Sequence, residues 1–471
     1  MDKKEMENTQ IFKRYLNPNK LQEIEEGKEG KEAFFNLIET IPRNLTEEAF
    51  NEAVADLIIE YTHMIMLKST KDVYIYNYTT HRWESKGEIW LQRLVYEVTK
   101  SVDETNLWYR ERNTCEHIKR KLCMLETFSD DYLVLINGTF DRRTGEIIES
   151  QSNHYAHFFS TVVYDSEKKC ARFLQFLNEV FYSDQSTIAF VQEWFGYVLL
   201  SSHQANAFLI GYGSGANGKS LLFALLAKLV GECNTSSSGI SAFQSRFGME
   251  VMHNKLLNLA TESDVNSFET ATLKAVTAGE PITLNRKGIK EITCILPAKF
   301  IFLMNHLPLI TDSSYGFSRR LLILPFPRTF RPEEQDPFLL EKMTLELSGI
   351  LNFALEGAKR LIKNGYQFTI SDLMNEAKEQ FLGCVHPLSY FKAHYLSKNS
   401  TRKVESNLLF QTFQKMLKEK NWSARQYGTL RSFKKGLIEL FEAEGFVIST
   451  KKSNGKTYLS GIVLNQSIQE L

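Results

Sequence analysis

"ANAFLIGYGSGANGKSLLFALLAKLVGE", residues 205–232, sets an apolar run, a glycine-rich octet and a leucine-rich run end to end. The octet "GSGANGKS" (213–220) fits the spacing G-x-x-x-x-G-K-[ST]. The run before it reads as a buried strand and the run after it as a helix, the context in which such a loop holds phosphate. Gly213, Gly215 and Gly218 permit backbone angles that other residues avoid, so N–H groups can close on phosphate oxygens. The helix from about Lys219 points its positive end at the same anion. Lys219 is expected to reach the β and γ phosphates, and Ser220 to bind Mg²⁺ through its hydroxyl. Ser214, Ala216, Asn217 and Leu221 complete the expected nucleotide contacts, which makes ATP and Mg²⁺ the implied cofactors.

Hydrolysis needs more than a cradle: an acid near the metal, a polar group near the γ-phosphate, and positive charge for the transition state. Three apolar strands downstream end on such residues. "NKLLNLATES" (254–263) ends near Glu262, with Asp264 close by, "KFIFLMN" (299–305) ends on Asn305, and Arg319 and Arg320 open "RRLLILPF" (319–326). Sites in α/β folds are built at such strand ends. Taken singly, each has a plainer reading: a surface acid, a turn asparagine, solvated arginines.

Strand and helix patterns alternate from about 205 to 330, with "FETATLKAVTAG" (268–279) a helix closing at Gly279. A long amphipathic helical stretch follows (339–365). Upstream, "DVYIYNYTTHRW" (72–83) reads as a hairpin, and "YLVLINGTFDRRTGEI" (132–147) as a strand with two turns. Residues 1–62 read as acidic helices, broken at "NPNK" (17–20) and "IPRN" (41–44). The expected organisation is an acidic helical segment (1–65), a collar-like α+β accessory domain (66–185), a P-loop ATPase core with helical cap (186–365), a linker (366–385) and a winged-helix domain (386–471).

The chain has 471 residues, enough for several cores, and 43% hydrophobic residues argue against overall disorder. No apolar run is long enough to span a bilayer and the first residues lack a signal-peptide shape, so a cytoplasmic protein without membrane contact is expected. The six cysteines form no CxxC pair, which disfavours a zinc ribbon or disulfide framework. Net charge is zero but unevenly spread. Residues 1–60 hold eight basic against fourteen acidic residues, and 386–471 hold fourteen basic against six acidic. A basic end on a neutral chain points to a polyanion such as DNA.

The ordered series "INGTFDRRTGEI", "FLNEVF", "VQEWFGYVLL", the phosphate loop, "LKAVTAGEPITLNRKGIKEITCILPAKFIFLMNHLP", "SRRLLILPF" and "ELSGILNFALEGAKRLIKNG" resembles the superfamily 3 helicases of the phage, plasmid and poxvirus primase–helicase type. The resemblance implies an AAA+-like core and an ATP-driven, ring-forming, hexameric DNA helicase and replication initiator of a mobile element, moving 3′ to 5′ on one strand. It makes Lys219 and Ser220 the Walker A residues, Glu262 the Walker B acid and Asn305 the sensor. Arg320, with Arg319 second and Lys274 beside them, would reach a neighbouring subunit's nucleotide. "LNRKGIKE" (284–291) matches the channel hairpin, where Arg286, Lys287 and Lys290 would carry single-strand phosphates without reading sequence. Glu262 lacks the second adjacent acid of many members, and the chain shows no primase-type carboxylate cluster. The alternative is an ATP-switched protein that binds or melts an origin without processive unwinding.

At the basic end, two helical patterns (404–418 and 429–444) precede a strand, an Asn454-Gly455 turn and a second strand, a winged-helix pattern. Arg425, Arg431, Lys434 and Lys435 would lie on the recognition helix and Lys451, Lys452 and Lys456 on the wing, against origin DNA. The amino-terminal region would serve as a collar or contact host replication proteins.

Overall fold

The computed structural model describes residues 14–22, 41–42, 44–85, 87–100, 107–261, 270–305, 314–385, 387–420, 422, 424, 427–442, 445–453 and 455–465. It is a multidomain α/β arrangement of mixed sheets and helices.

Near the amino terminus the chain is non-helical from 14 to 17, and a helix starts within "NPNK". Pro18 opens α1 (Pro18–Gln22), and the Asn17 side chain accepts the Asn19 N–H at 3.1 Å. Helix α2 (Glu47–Tyr61), capped by Thr46, packs with α3 (Gly87–Lys100) and α4 (Leu107–Lys121) on the sheet β3-β2-β1-β4. Its strands are β1 (Met64–Leu67), β2 (Val73–Asn77), β3 (Arg82–Glu84) and β4 (Cys123–Leu125). Val54, Ile58, Leu91 and Ile118 share this core. The expected boundary at 65/66 therefore falls inside β1: α2 needs the sheet to bury its apolar face.

A second sheet, β7-β6-β5-β8, follows with β5 (Ser129–Leu135), β6 (Gly138–Asp141), β7 (Glu146–Ile148) and β8 (Ala156–Phe159). Then come α5 (Ala171–Val180) and α6 (Gln185–Leu199). Leu133, Phe158, Phe173 and Trp194 belong to the same apolar cluster as Leu209, Leu226 and Ala354. Packing thus joins residues 129–181 to the segment that follows, and the expected division at 185/186 is not where the core divides.

The central sheet is parallel, in the order β10-β11-β14-β9-β15. Its members are β9 (Phe208–Tyr212), β10 (Thr235–Ser236), β11 (Leu257–Thr261), β14 (Lys299–Met304) and β15 (Leu321–Pro325). Between them run α7 (Lys219–Val230), α8 (Thr270–Thr277), the antiparallel hairpin β12 (Ile282–Arg286) and β13 (Ile289–Cys294), and α9 (Tyr315–Ser318). Both faces are covered, which is why β9, β14 and β15 are apolar over most of their length. Leu209, Ile301 and Leu322 face one core, while Ile210, Phe302 and Ile323 face the other.

Helices α10 (Leu339–Thr344) and α11 (Leu347–Lys363) follow. α11 lies so close to α6 that a Cβ on Gly357 would sit 1.9 Å from the Gln192 carbonyl oxygen. Fully buried Glu193 ties them, accepting from Arg360 Nε at 2.6 Å and Thr369 N at 2.6 Å. The expected linker 366–385 is instead part of this body. Thr369 is bound to Glu193, and α12 (Asp372–Val385) sends Phe381 into the core beneath β15.

The last unit holds α13 (Pro387–Tyr395), β16 (Leu396–Glu405), α14 (Ser406–Glu419), α15 (Leu430–Glu442), β17 (Ser449–Ser453) and β18 (Lys456–Leu464) around a core of its own. Its sheet order is β16-β18-β17; the sequence pattern missed β16. Among the described residues no helix is long and apolar enough to cross a membrane.

One lysine is an energetic liability. Lys299, at the start of β14, is 1% exposed, and its Nζ finds no hydrogen-bond partner among the described residues. It rests 4.8 Å from the centroid of the Tyr197 ring. Burial, then the Arg142 charge, pushes its pKa well below 10.5. Between that lowered value and 10.5 the unfolded chain holds a proton that the folded chain lacks, so stability rises with pH across this window. Lys299→Met should raise the melting temperature at neutral pH. The gap to wild type should narrow toward pH 10.5, as measured by thermal unfolding across pH.

Candidate nucleotide site and basic surfaces

The chain leaves β9 at Tyr212 and enters α7 at Lys219, at the edge of the sheet where β9, β14 and β11 end. Between them the backbone is left-handed at Gly215 (φ 105°), Ala216 (φ 46°) and Gly218 (φ 85°). The Ala216 carbonyl is held by Phe330 N–H at 2.8 Å. Gly218 is required twice over: its φ suits glycine, and a Cβ there would lie 2.9 Å from the Phe176 ring.

Lys219 is 6% exposed. Its ammonium donates to the Gly213 carbonyl and, at 3.0 Å, to Asn305 Oδ1 at the end of β14. Residues 86 positions apart in sequence thus meet through one buried charge. Asn217 is 2% exposed; its Oδ1 accepts the Lys219 N–H at 3.4 Å, and its Nδ2 has no partner among the described residues. That orphaned donor, the left-handed loop and the helix start suit a polyanionic phosphate chain.

The cleft over this loop measures about 500 Å³, the size of a small-molecule site. Ser220 and Leu221 line it, as do Asn305 and Thr261, the last residue of β11. Glu262 and Asp264, the expected metal-placing acids, lie outside the described residues. Sequence reasoning missed the wall beside the loop: Arg172 and Phe176 of α5, Phe330, and Leu339 of α10. Arg172 Nη2 lies 3.6 Å from Glu179, and Arg328 bridges the Glu179 carbonyl and the Glu334 carboxylate at 3.3 and 3.2 Å. Only the apolar spacing of "ARFLQFLNEVF" hinted that α5 presents a face, and nothing local said to what.

The arginines expected to act between chains separate in exposure. Arg319 is exposed. Arg320 is 8% exposed, and its Nη1 donates to the Gly316 carbonyl at 2.7 Å. Burial, then the Arg319 charge, lowers the Arg320 pKa. The Arg320 guanidinium is thus largely covered by its own chain, and Arg319 faces outward. Lys274 of α8 is half-buried and shares the surroundings of Gly316 with Arg320. None of the three lines the cleft.

The expected hairpin forms, with Gly288 left-handed (φ 74°) at its turn and Lys287 exposed. Arg286 is half-buried, and the side chain of Lys290 lies outside the described residues. In the last unit Arg431 and Lys435 are exposed on α15 and Lys434 is half-buried. Lys435 approaches Glu439 at 3.8 Å. Lys451 and Lys452 are exposed on β17, and Lys456 pairs with Glu405 at 2.9 Å. Arg425 lies outside the described residues.

Residues 55–182 match the family described as "D5 N terminal like", and residues 211–320 match a family of unknown function, DUF5906. The first match lies ahead of the second, which contains the loop. It is similar to the apo structure of the NrS-1 C-terminal region (305–718), at 14% identity over 89% of this chain and 100% of that one, with a TM-score of 0.49. It is also similar to an A-form apo structure of the same region, at 15% identity over 90% and 100%, with a TM-score of 0.46.

Gly218→Ala should weaken ATP binding at least tenfold, since it sets backbone strain of about 1–2 kcal/mol against a ring clash. Gly215→Ala, with nothing within 4 Å of its Cβ, should weaken it less. The ATP-induced rise in melting temperature reads both.

Proposed function

We propose that this chain is a DNA replication protein: an ATP-driven helicase that assembles as a ring, with six subunits by resemblance. The observation that carries the reading is the buried Lys219–Asn305 contact at 3.0 Å on the floor of the cleft. A polar side chain so joined to the loop lysine can respond to what the lysine binds. The D5 N-terminal-like segment supports a replication role.

ATP with Mg²⁺ supplies the phosphoryl bond whose hydrolysis drives movement. The 213–220 loop would hold its phosphates, Lys219 and Asn217 would donate to phosphate oxygens, and Ser220 with Glu262 would hold the metal. Phe176, Phe330 and Leu339 line an apolar wall beside the loop. Arg319, exposed, is the better candidate to complete a neighbouring subunit's site, with Arg320 and Lys274 supporting it. Lys287 at the hairpin turn would carry the strand's phosphates, with Arg286 and Lys290 beside it. The last unit, read as a winged helix, would dock on origin DNA through Arg431, Lys434 and Lys435 of α15, with Arg425 preceding that helix in the sequence.

Strand separation of a forked DNA tests this. Wild type should unwind with ATP, and Lys219→Ala should fail. Lys287→Ala should keep DNA-independent ATPase yet lose unwinding. Arg319→Ala mixed with wild type should depress activity more than dilution does. ATP hydrolysis without unwinding, even on the element's own origin, would favour the nucleotide-switched origin binder.

A further inference from the structure

The carboxyl-terminal sheet has two unlike faces. Register pairs Val404 with Leu459 and Leu459 with Thr450, and Leu459 and Val404 lie in the core with Leu409 and Phe413. Side chains alternate along each strand, so the neighbouring rows point away from that core. Those rows hold Lys403, Ser460 and Ser449; Glu405, Tyr458 and Lys451; and Lys456 and Ser453. Every one of these eight residues is exposed or half-exposed.

The face they form carries no aliphatic side chain. It offers three ammonium groups, three serine hydroxyls and one tyrosine, against a single carboxylate that Lys456 already pairs at 2.9 Å. The Lys403 ammonium stands 4.6 Å from the centroid of the Tyr458 ring. Beside it the β16 ladder is interrupted between Asn399 and Lys403. The Asn399 side chain folds the extra residues into a turn, accepting from Thr401 N and Arg402 N at 3.2 Å each. Exposed Arg402 leaves the ladder there. Register also puts Lys452 on the opposite face from Lys451.

We infer that the outer face of this sheet is a binding surface for single-stranded DNA, centred on Lys403, Lys451 and Tyr458 and extended by Arg402. Ammonium and hydroxyl donors spaced along parallel rows match a phosphodiester backbone. An aromatic ring among cations suits an unpaired base, which can stack on it, whereas the bases of a duplex are already stacked on one another. Charge complementarity selects the occupant: an apolar partner would find nothing to bury here. The surface is separate from the hairpin β12–β13 and from α15; it takes in Lys451 and Lys456 of the expected wing and assigns them to a single strand instead of duplex origin DNA. It rests on reading the chain as a DNA-acting protein, but not on its ATPase.

The test is binding of the full chain, without nucleotide, to a fluorescein-labelled oligo(dT) strand and to a duplex of equal length, read by anisotropy across salt concentrations. Lys403→Ala and Lys451→Ala should each weaken strand binding several-fold and lower the slope of log K against log salt by about 0.7. Tyr458→Ala should weaken strand binding by about five- to hundred-fold, and duplex binding less. Lys418→Ala, on α14, serves as the charge-matched control, and unchanged melting temperatures exclude misfolding. The inference is overturned if the three variants bind like wild type, if Lys418→Ala matches them, or if duplex binding falls as much as strand binding. Variants that aggregate at unchanged affinity also overturn it, since the lysines would then only guard an edge strand. Unwinding by variants with unchanged strand binding removes this surface and leaves the motor; failed unwinding with binding that depends on these residues removes the motor and leaves the surface.

Discussion

Two-sided burial of the central parallel sheet is the constraint on which the rest depends. A parallel strand cannot turn back on its neighbour, so each connection crosses a face and covers it. Here α8 and the β12–β13 hairpin cover one face, and α7 with α5, α6 and α11 covers the other. The same requirement sends the loop after β9 and Asn305 after β14 to one edge. Once they are there, the Lys219 ammonium can be buried, because two oxygens from distant parts of the chain meet it. The site is a consequence of the way the sheet is covered.

Around that edge the structure accepts local costs. Ala216 is left-handed without being glycine, and Asn217 keeps an unpartnered buried amide among the described residues. Such departures are tolerated where the surroundings over-determine them, and they gather at ligand sites. Lys299 is a different case. It sits at the start of β14, at the opposite end of the strand from Asn305, so it has no evident part in the nucleotide site. The Glu193–Arg360–Thr369 network, by contrast, satisfies its buried charge fully and joins α6, α11 and the segment before α12.

The three basic surfaces differ in how they are built. The hairpin turn offers one exposed lysine where Gly288 lets the backbone reverse. The Arg319–Arg320 pair leaves Arg319 exposed and folds Arg320 back onto the Gly316 carbonyl. The carboxyl-terminal sheet sorts its lysines by register, sending Lys451 outward and Lys452 to the other side.

Sequence alone determined what local patterns can encode. The phosphate-loop octet, the apolar strands around it and the helices of the last unit were legible because periodicity and glycine spacing act over a few residues, whereas the hairpin at 284–291 was expected only from the family resemblance. Domain limits were not. The division at 65/66 cuts a strand, the division at 185/186 crosses one core, and the supposed linker is a packed helix, because apolar faces do not announce their partners. Strand β16 escaped notice because "LSKNSTRKVE" is polar along most of its length and pairs on one side only, with β18. Only the tertiary structure brought Arg172 and Phe176 to the cleft, turned Arg320 inward and joined Lys219 to Asn305. Each of these depends on a neighbour far away in the chain, and no local pattern records which neighbour that will be.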